Sequence, residues 1–116
     1  MWSLDMTISE DMRLMDAFFG AIIGRSGNRI ENSRFFIDNK EVVLAENENH
    51  NNLHSGPDGF EKKLWEVKEI SQEKNSVDFF RISPDGENGF PGEFSIVVKY
   101  EFTEENELKI FLQRTL

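Results

Sequence analysis

The sequence predicts an antiparallel β protein, and three observations carry that reading. From Arg34 onward, β-branched and aromatic residues gather in short runs bounded by Asn, Gly, Asp and Pro, the texture of strands and turns. In one run, EFSIVVKYEFT, Phe94, Ile96, Val98, Tyr100 and Phe102 alternate with Glu93, Ser95, Lys99 and Glu101. An extended chain then carries an apolar row on one face and a polar row on the other, so one face is buried and the other largely wet. Finally, 116 residues with eleven phenylalanines suffice for one hydrophobic core and not for two.

The elements follow in order. DMTISEDMRLMDAFF offers Thr7 or Ser9 as an N-cap, Glu10 three residues after Thr7, and Met12, Met15 and Phe19 at helical spacing. This predicts one short N-terminal helix over residues 9–16. Gly20, Gly24 and Gly27 then break any long helix and mark a turn-rich connection packed closely against something else. SRFFID and KEVVLAE flank Asp38-Asn39, a pair that accepts positive φ and suits a tight hairpin. KKLWEVKEI and SVDFFRIS form a second antiparallel pair around the polar residues 71–75, and Leu108, Ile110 and Leu112 repeat the alternation after TEEN. A twisted sheet of this kind needs a cover for its apolar face. A chain that stops directly on a strand is expected to be one partial domain, 1–116, of something longer, and its open edge invites a homo-oligomer.

Composition narrows the function. Thirteen Lys and Arg against twenty-two Asp and Glu give a formal charge of −9, which repels phosphate backbones and anionic lipid, so neither nucleic acid nor membrane is an expected partner. No cysteine is present, which removes disulfides, thiolate metal sites and a cysteine nucleophile. The longest apolar run, AFFGAIIG, is too short to span a bilayer, and the N-terminus is acidic where a secretory signal is basic. The expected location is the cytoplasm.

Three stretches bear on chemistry. His50 and His54 have the i, i+4 spacing of a helical zinc pair, but Asn51, Asn52 and Gly56-Pro57 oppose a helix and no Glu follows His50. No metal is expected. Read from residues alone, His54 is a loop histidine that hydrogen-bonds neighbouring backbone, helped by Asn51. In GRSGNRI, Arg25 and Arg29 lie among glycines with the spacing of neither the phosphate loop nor the dinucleotide fingerprint. Their plainer role is to answer some of the acids on the surface. SPDGENGFPGE holds three turn signals in eleven residues and reads as a long shaped loop between strands. Asp58 or Glu61 could pair with His54 for acid/base work if the fold brings them together.

In this order and spacing these stretches resemble the aldose 1-epimerase family, the galactose mutarotases. GAIIGRSGNRI (residues 20–30) fits the family's G-x-x-x-G-R-x-x-N-R-I. DNKEVVL (38–44) is similar to D-G-K-E-x-x-L, with Asn39 for glycine. NNLHSGPDGFEKKLW (51–65) resembles N-x-L-H-G-G-x-x-G-F-D-K-x-x-W, departing at Ser55 and Glu61, and SPDGENGFPG (83–92) resembles S-P-D-G-E-x-G-Y-P-G, with Phe90 for tyrosine.

The resemblance implies a partial β-sandwich of the galactose mutarotase type and an isomerase that interconverts the α and β anomers of a hexose such as galactose or glucose, without cofactor. It makes Asn28, Arg29 and His54 the substrate contacts, because imidazole and guanidinium can hydrogen-bond sugar hydroxyls and a ring oxygen in fixed geometry. His54 has an auxiliary catalytic place near the ring oxygen. The family's acid histidine and base glutamate belong to later motifs, and no residue here matches them. The chain is therefore expected to be a truncated or fragmentary member. The rival readings are a carbohydrate-binding or interaction module without catalysis, and a hexose-6-phosphate epimerase relative in which Arg25 and Arg29 hold phosphate. Ser55 adds a side chain and removes backbone freedom where the pattern has glycine.

Overall fold

The computed structural model describes Phe18 and residues 20–115; the helix expected over residues 9–16 lies outside them. The described residues form eight strands: β1 (Arg29–Ile30), β2 (Arg34–Ile37), β3 (Lys40–Val43), β4 (Asn52–Leu53), β5 (Glu66–Ser71), β6 (Ser76–Ser83), β7 (Phe94–Phe102) and β8 (Leu108–Thr115). Three 3-10 turns, Glu31–Ser33, Phe60–Lys62 and Glu87–Gly89, are their only helical elements. β5 to β8 make one antiparallel meander, β2 pairs with β3, and β1 pairs with β4.

Local chemistry sets the turns. Asp38 and Asn39 both take positive φ, 47° and 64°, the two left-handed residues that let a two-residue turn follow the twist of its strands. Asn75 and Asn106 do the same at the ends of the longer hairpins, with φ of 51° and 61°. Asn75 also ties its turn sideways, donating from Nδ2 to the Phe102 carbonyl at 3.2 Å.

The alternation of β7 sets the core. Ile96 and Val98 are buried, and Phe60 rests on them with Ile22, Trp65, Phe94 and Tyr100 around it. Phe60 meets Trp65 edge to face at 5.7 Å, and the Trp65 indole donates to the Phe60 carbonyl at 3.2 Å. The opposite face of β7 is less wet than the alternation predicts, because Val97 is buried too, paired with Phe80 on one side and Gln113 on the other. A strand with neighbours on both edges loses solvent to their side chains whichever face it presents.

β8 departs in the other direction. Leu108, Ile110 and Leu112 lie opposite Phe102, Tyr100 and Val98, continuing the apolar face, yet all three are exposed. They sit on an edge strand with no second layer over them among the described residues. An open recess of about 390 Å³ beside the core, lined by Ile22, Phe60, Glu61, Trp65, Phe79 and Tyr100 among others, belongs to this uncovered face.

Candidate functional site

Pairing of β1 with β4 sets Arg29 opposite Leu53 and brings Asn28 beside His54. The two are joined reciprocally: the His54 N–H donates to the Asn28 carbonyl at 3.0 Å, and the Asn28 N–H donates to His54 Nδ1 at 3.0 Å. A ring nitrogen that accepts cannot carry a proton, so the neutral imidazole holds its hydrogen on Nε2. His54 therefore offers a donor from a ring whose other edge is fixed. Phe18 packs edge to face on that ring at 4.9 Å.

Asn28, at φ 61°, turns its own Oδ1 back to accept the Arg29 N–H at 2.9 Å. The Arg29 guanidinium is gripped from one side, Nε and Nη2 donating to the Glu48 carboxylate at 3.0 and 3.4 Å. Those hydrogen bonds hold the Glu48 carboxyl below its ordinary value, with Asn51 adding to the effect. Asn28, Arg29 and His54 thus stand close in the β1–β4 region, and none of the three lines the apolar recess.

The partner expected for His54 is corrected. Its ring bonds the backbone of Asn28, twenty-six residues away, while Asn51 Oδ1 accepts the Asn32 N–H at 3.1 Å. Neither carboxylate weighed as its acid/base companion reaches it. Asp58 pairs with Lys63 at 2.9 Å, and Glu61 turns a buried, unpartnered Oε2 inward past Gly59. His50 and His54 share no helix face, since both take left-handed φ, and His50 lies against Glu46 at 3.2 Å. Among the described residues no three His, Cys, Asp or Glu side chains gather where a metal ion could sit.

Asparagine amides do structural work that sequence reasoning missed. Asn47 accepts the Leu53 N–H at 2.7 Å and donates to the Leu53 carbonyl at 2.8 Å, copying with one side chain the pair of bonds a neighbouring strand supplies. Asn52 is fully buried and donates to the Ala45 carbonyl at 2.8 Å. The Asn-rich segment 47–52 is thus a polar scaffold under the His54 loop.

The long loop of residues 84–93 is held by Arg25, also read differently from the sequence. Its guanidinium donates to Ser83 Oγ and to the carbonyls of Ser83, Pro84 and Pro91, at 2.9 to 3.1 Å, and lies near the Phe90 and Phe94 rings. A guanidinium so engaged spends its donors on the loop rather than on a carboxylate, though the charges of Glu87 and Asp85 still favour it, and it leaves little for a phosphate. Ser83 passes the connection on, donating to Glu87 at 2.8 Å, while Arg81 binds both oxygens of that carboxylate at 2.9 and 2.6 Å.

Burial alone would raise the Glu87 carboxyl, but the Arg81 and Ser83 hydrogen bonds and the charges of Arg81 and Lys63 outweigh it and hold the group below its ordinary value of 4.5. A carboxyl with a depressed folded pKa adds stability above its unfolded pKa and loses it as pH falls through the folded value. Lowering pH from about 5 to about 3 is therefore expected to reduce the urea midpoint of the native chain more than that of Glu87→Gln, which starts lower at neutral pH. Equal slopes would show that Glu87 is not the acid-sensitive tie.

Comparison with known proteins adds an independent finding. The sequence model of the family described as aldose 1-epimerase matches residues 3–115. The aldose 1-epimerase of Escherichia coli K12 is 41% identical over 100 residues, covering 86% of this chain and 28% of that protein. The human galactose mutarotase is 51% identical over 83 residues, 72% of this chain and 23% of that one. The crystal structure of galactose 1-epimerase from Lactobacillus acidophilus NCFM superposes with a TM-score of 0.82 at 27% identity, over 95% of this chain and 33% of that one. The chain thus spans a quarter to a third of the length of these relatives.

Proposed function

The chain belongs to the aldose 1-epimerase family, and from that premise we propose that its residues 1–116 form one partial domain whose Asn28, Arg29 and His54 hold a hexose, galactose or glucose, for interconversion of its anomers. The observation that supports this reading most is the reciprocal Asn28–His54 pairing, which leaves Nε2–H as the donor of the His54 ring and ties that ring to the residue next to Arg29. Anomer exchange needs a base to take the anomeric hydroxyl proton and an acid to protonate the ring oxygen. Arg29 and His54 supply neither proton step here. Their part is to orient the ring and to stabilise the negative charge that grows on oxygen as the ring opens.

The experiment is polarimetry of freshly dissolved α-D-galactose and α-D-glucose with the purified chain. We expect the uncatalysed rate from a folded sample, together with hexose binding seen by NMR titration. Acceleration would mean that the chain, alone or self-associated through β5 or β8, the outer strands of the meander among the described residues, assembles an acid/base pair other than the residues named here. The second reading is a carbohydrate-binding module without catalysis, which would hold a hexose through the same Asn28, Arg29 and His54. The two readings part at the whole protein, which accelerates mutarotation only under the first.

His54→Ala is expected to weaken hexose binding about tenfold or more, the equivalent of one or two hydrogen bonds, with little change in thermal midpoint, because the residue stands on a loop. If the variant unfolds instead, His54 is a structural residue and the binding role fails.

A further inference from the structure

We infer that Ser55 is a positioning residue for His54, doing in this chain what the glycine of the family pattern cannot. This rests on the proposed sugar-binding role of His54. Ser55 is 2% exposed and sits at φ 73°, a backbone state that glycine adopts far more readily than serine. Its hydroxyl accepts the Ser26 N–H at 2.6 Å and donates to the Ser26 carbonyl at 2.9 Å. Two residues further on, Asn28 exchanges its own two bonds with His54. Residues 26–28 and 54–55 are therefore laced together by four hydrogen bonds, two from the hydroxyl and two from the imidazole and its amide.

Beyond the Phe18 ring against His54, packing does little to hold that lace. Gly27, in its middle, has no heavy atom within 4 Å of where a Cβ would stand, and Ser26, Asn28 and Arg29 are at least partly exposed. With little apolar contact to locate it, the segment takes its place from its hydrogen bonds, and a segment held that way opens locally when one is removed. The Ser55 hydroxyl controls how firmly the Asn28 N–H faces Nδ1, and through it the tautomer and direction of the His54 ring. The serine accepts a left-handed backbone in exchange for a tie that fixes the donor edge of the imidazole.

The test uses the full 116-residue chain with Ser55→Gly and Ser55→Ala. Three quantities are read: amide exchange at Ser26 and Asn28, the ¹⁵N shifts of the His54 ring, and galactose binding by NMR titration. Glycine suits the φ of position 55, so Ser55→Gly is expected to fold. Its Ser26 and Asn28 amides should exchange about tenfold faster, its His54 ring should lose the single Nε2–H signature, and galactose should bind several-fold more weakly. Ser55→Ala keeps the Cβ and should match it, which assigns the effect to the hydroxyl rather than to backbone freedom. Unchanged exchange and an unchanged His54 tautomer in Ser55→Gly would overturn the inference. If the native chain binds no galactose, the sugar-holding reading fails while the exchange and tautomer measurements still decide whether Ser55 positions His54.

Discussion

Gly89→Ala is expected to cost about 2–4 kcal/mol, summing left-handed backbone strain and a steric clash, and to release the loop of residues 84–93 from the β2–β3 hairpin. Gly89 takes φ 92°, and a Cβ there would run into the backbone of Val43 and Leu44, which cannot move aside without disturbing β3. The neighbouring Asn88 carbonyl accepts the Ala45 N–H at 3.0 Å, and Asn88 Nδ2 donates to the Asp58 carbonyl at 2.8 Å. A shift of residue 89 therefore breaks contacts in both directions. Gly86→Ala is the control: its φ is also positive, 83°, but open space surrounds the position, so strain alone applies, about 1 kcal/mol. Urea midpoints of the two variants should differ clearly. Equal midpoints would show that the loop does not press on β3.

The contrast between what could and could not be read from the sequence follows the range of the interactions. The Asp38-Asn39 turn and the β7 alternation are legible because the cause lies within a few residues: two left-handed positions in one case, a two-residue period in the other. The exposure of Leu108, Ile110 and Leu112 is not, since their pattern is that of β7 and only strand order places them at an edge. Arg25 is less legible still. Three of its four bonds go to carbonyls 58 to 66 residues away, and a carbonyl leaves no mark in the sequence. At the site, residue types alone gave His54 a backbone bond, which it has, but from the wrong neighbour. The grouping of Asn28, Arg29 and His54 came from motif resemblance, because spacing of 26 residues says nothing of adjacency until β1 is known to pair with β4.

Phe60→Ala is expected to have the larger effect on the whole chain, about 3–5 kcal/mol as for other buried phenylalanines, against the roughly 5–15 kcal/mol that holds a small domain folded. Phe60 is 2% exposed and stands between the sheet and the loops that carry the site. It packs on Ile96 and Val98 below, meets Trp65 at its edge, and lies under the Arg81 guanidinium, 5.3 Å from the ring centroid. Gly24 rests directly on the ring, so closely that a Cβ there would collide with it, and the Phe60 N–H reaches the Gly24 carbonyl at 3.4 Å. Removing the ring thus withdraws support at once from β7, from Arg81 and its Glu87 pair, and from the segment that leads through Arg25 to Asn28. The consequence is directional. His54→Ala should weaken hexose binding without moving the urea midpoint, whereas Phe60→Ala should lower the midpoint first and lose binding only as the fold is lost. If Phe60→Ala kept its midpoint and lost binding, the ring would belong to the ligand site rather than to the core, and the separation between the sheet and the site drawn from the geometry would have to be abandoned.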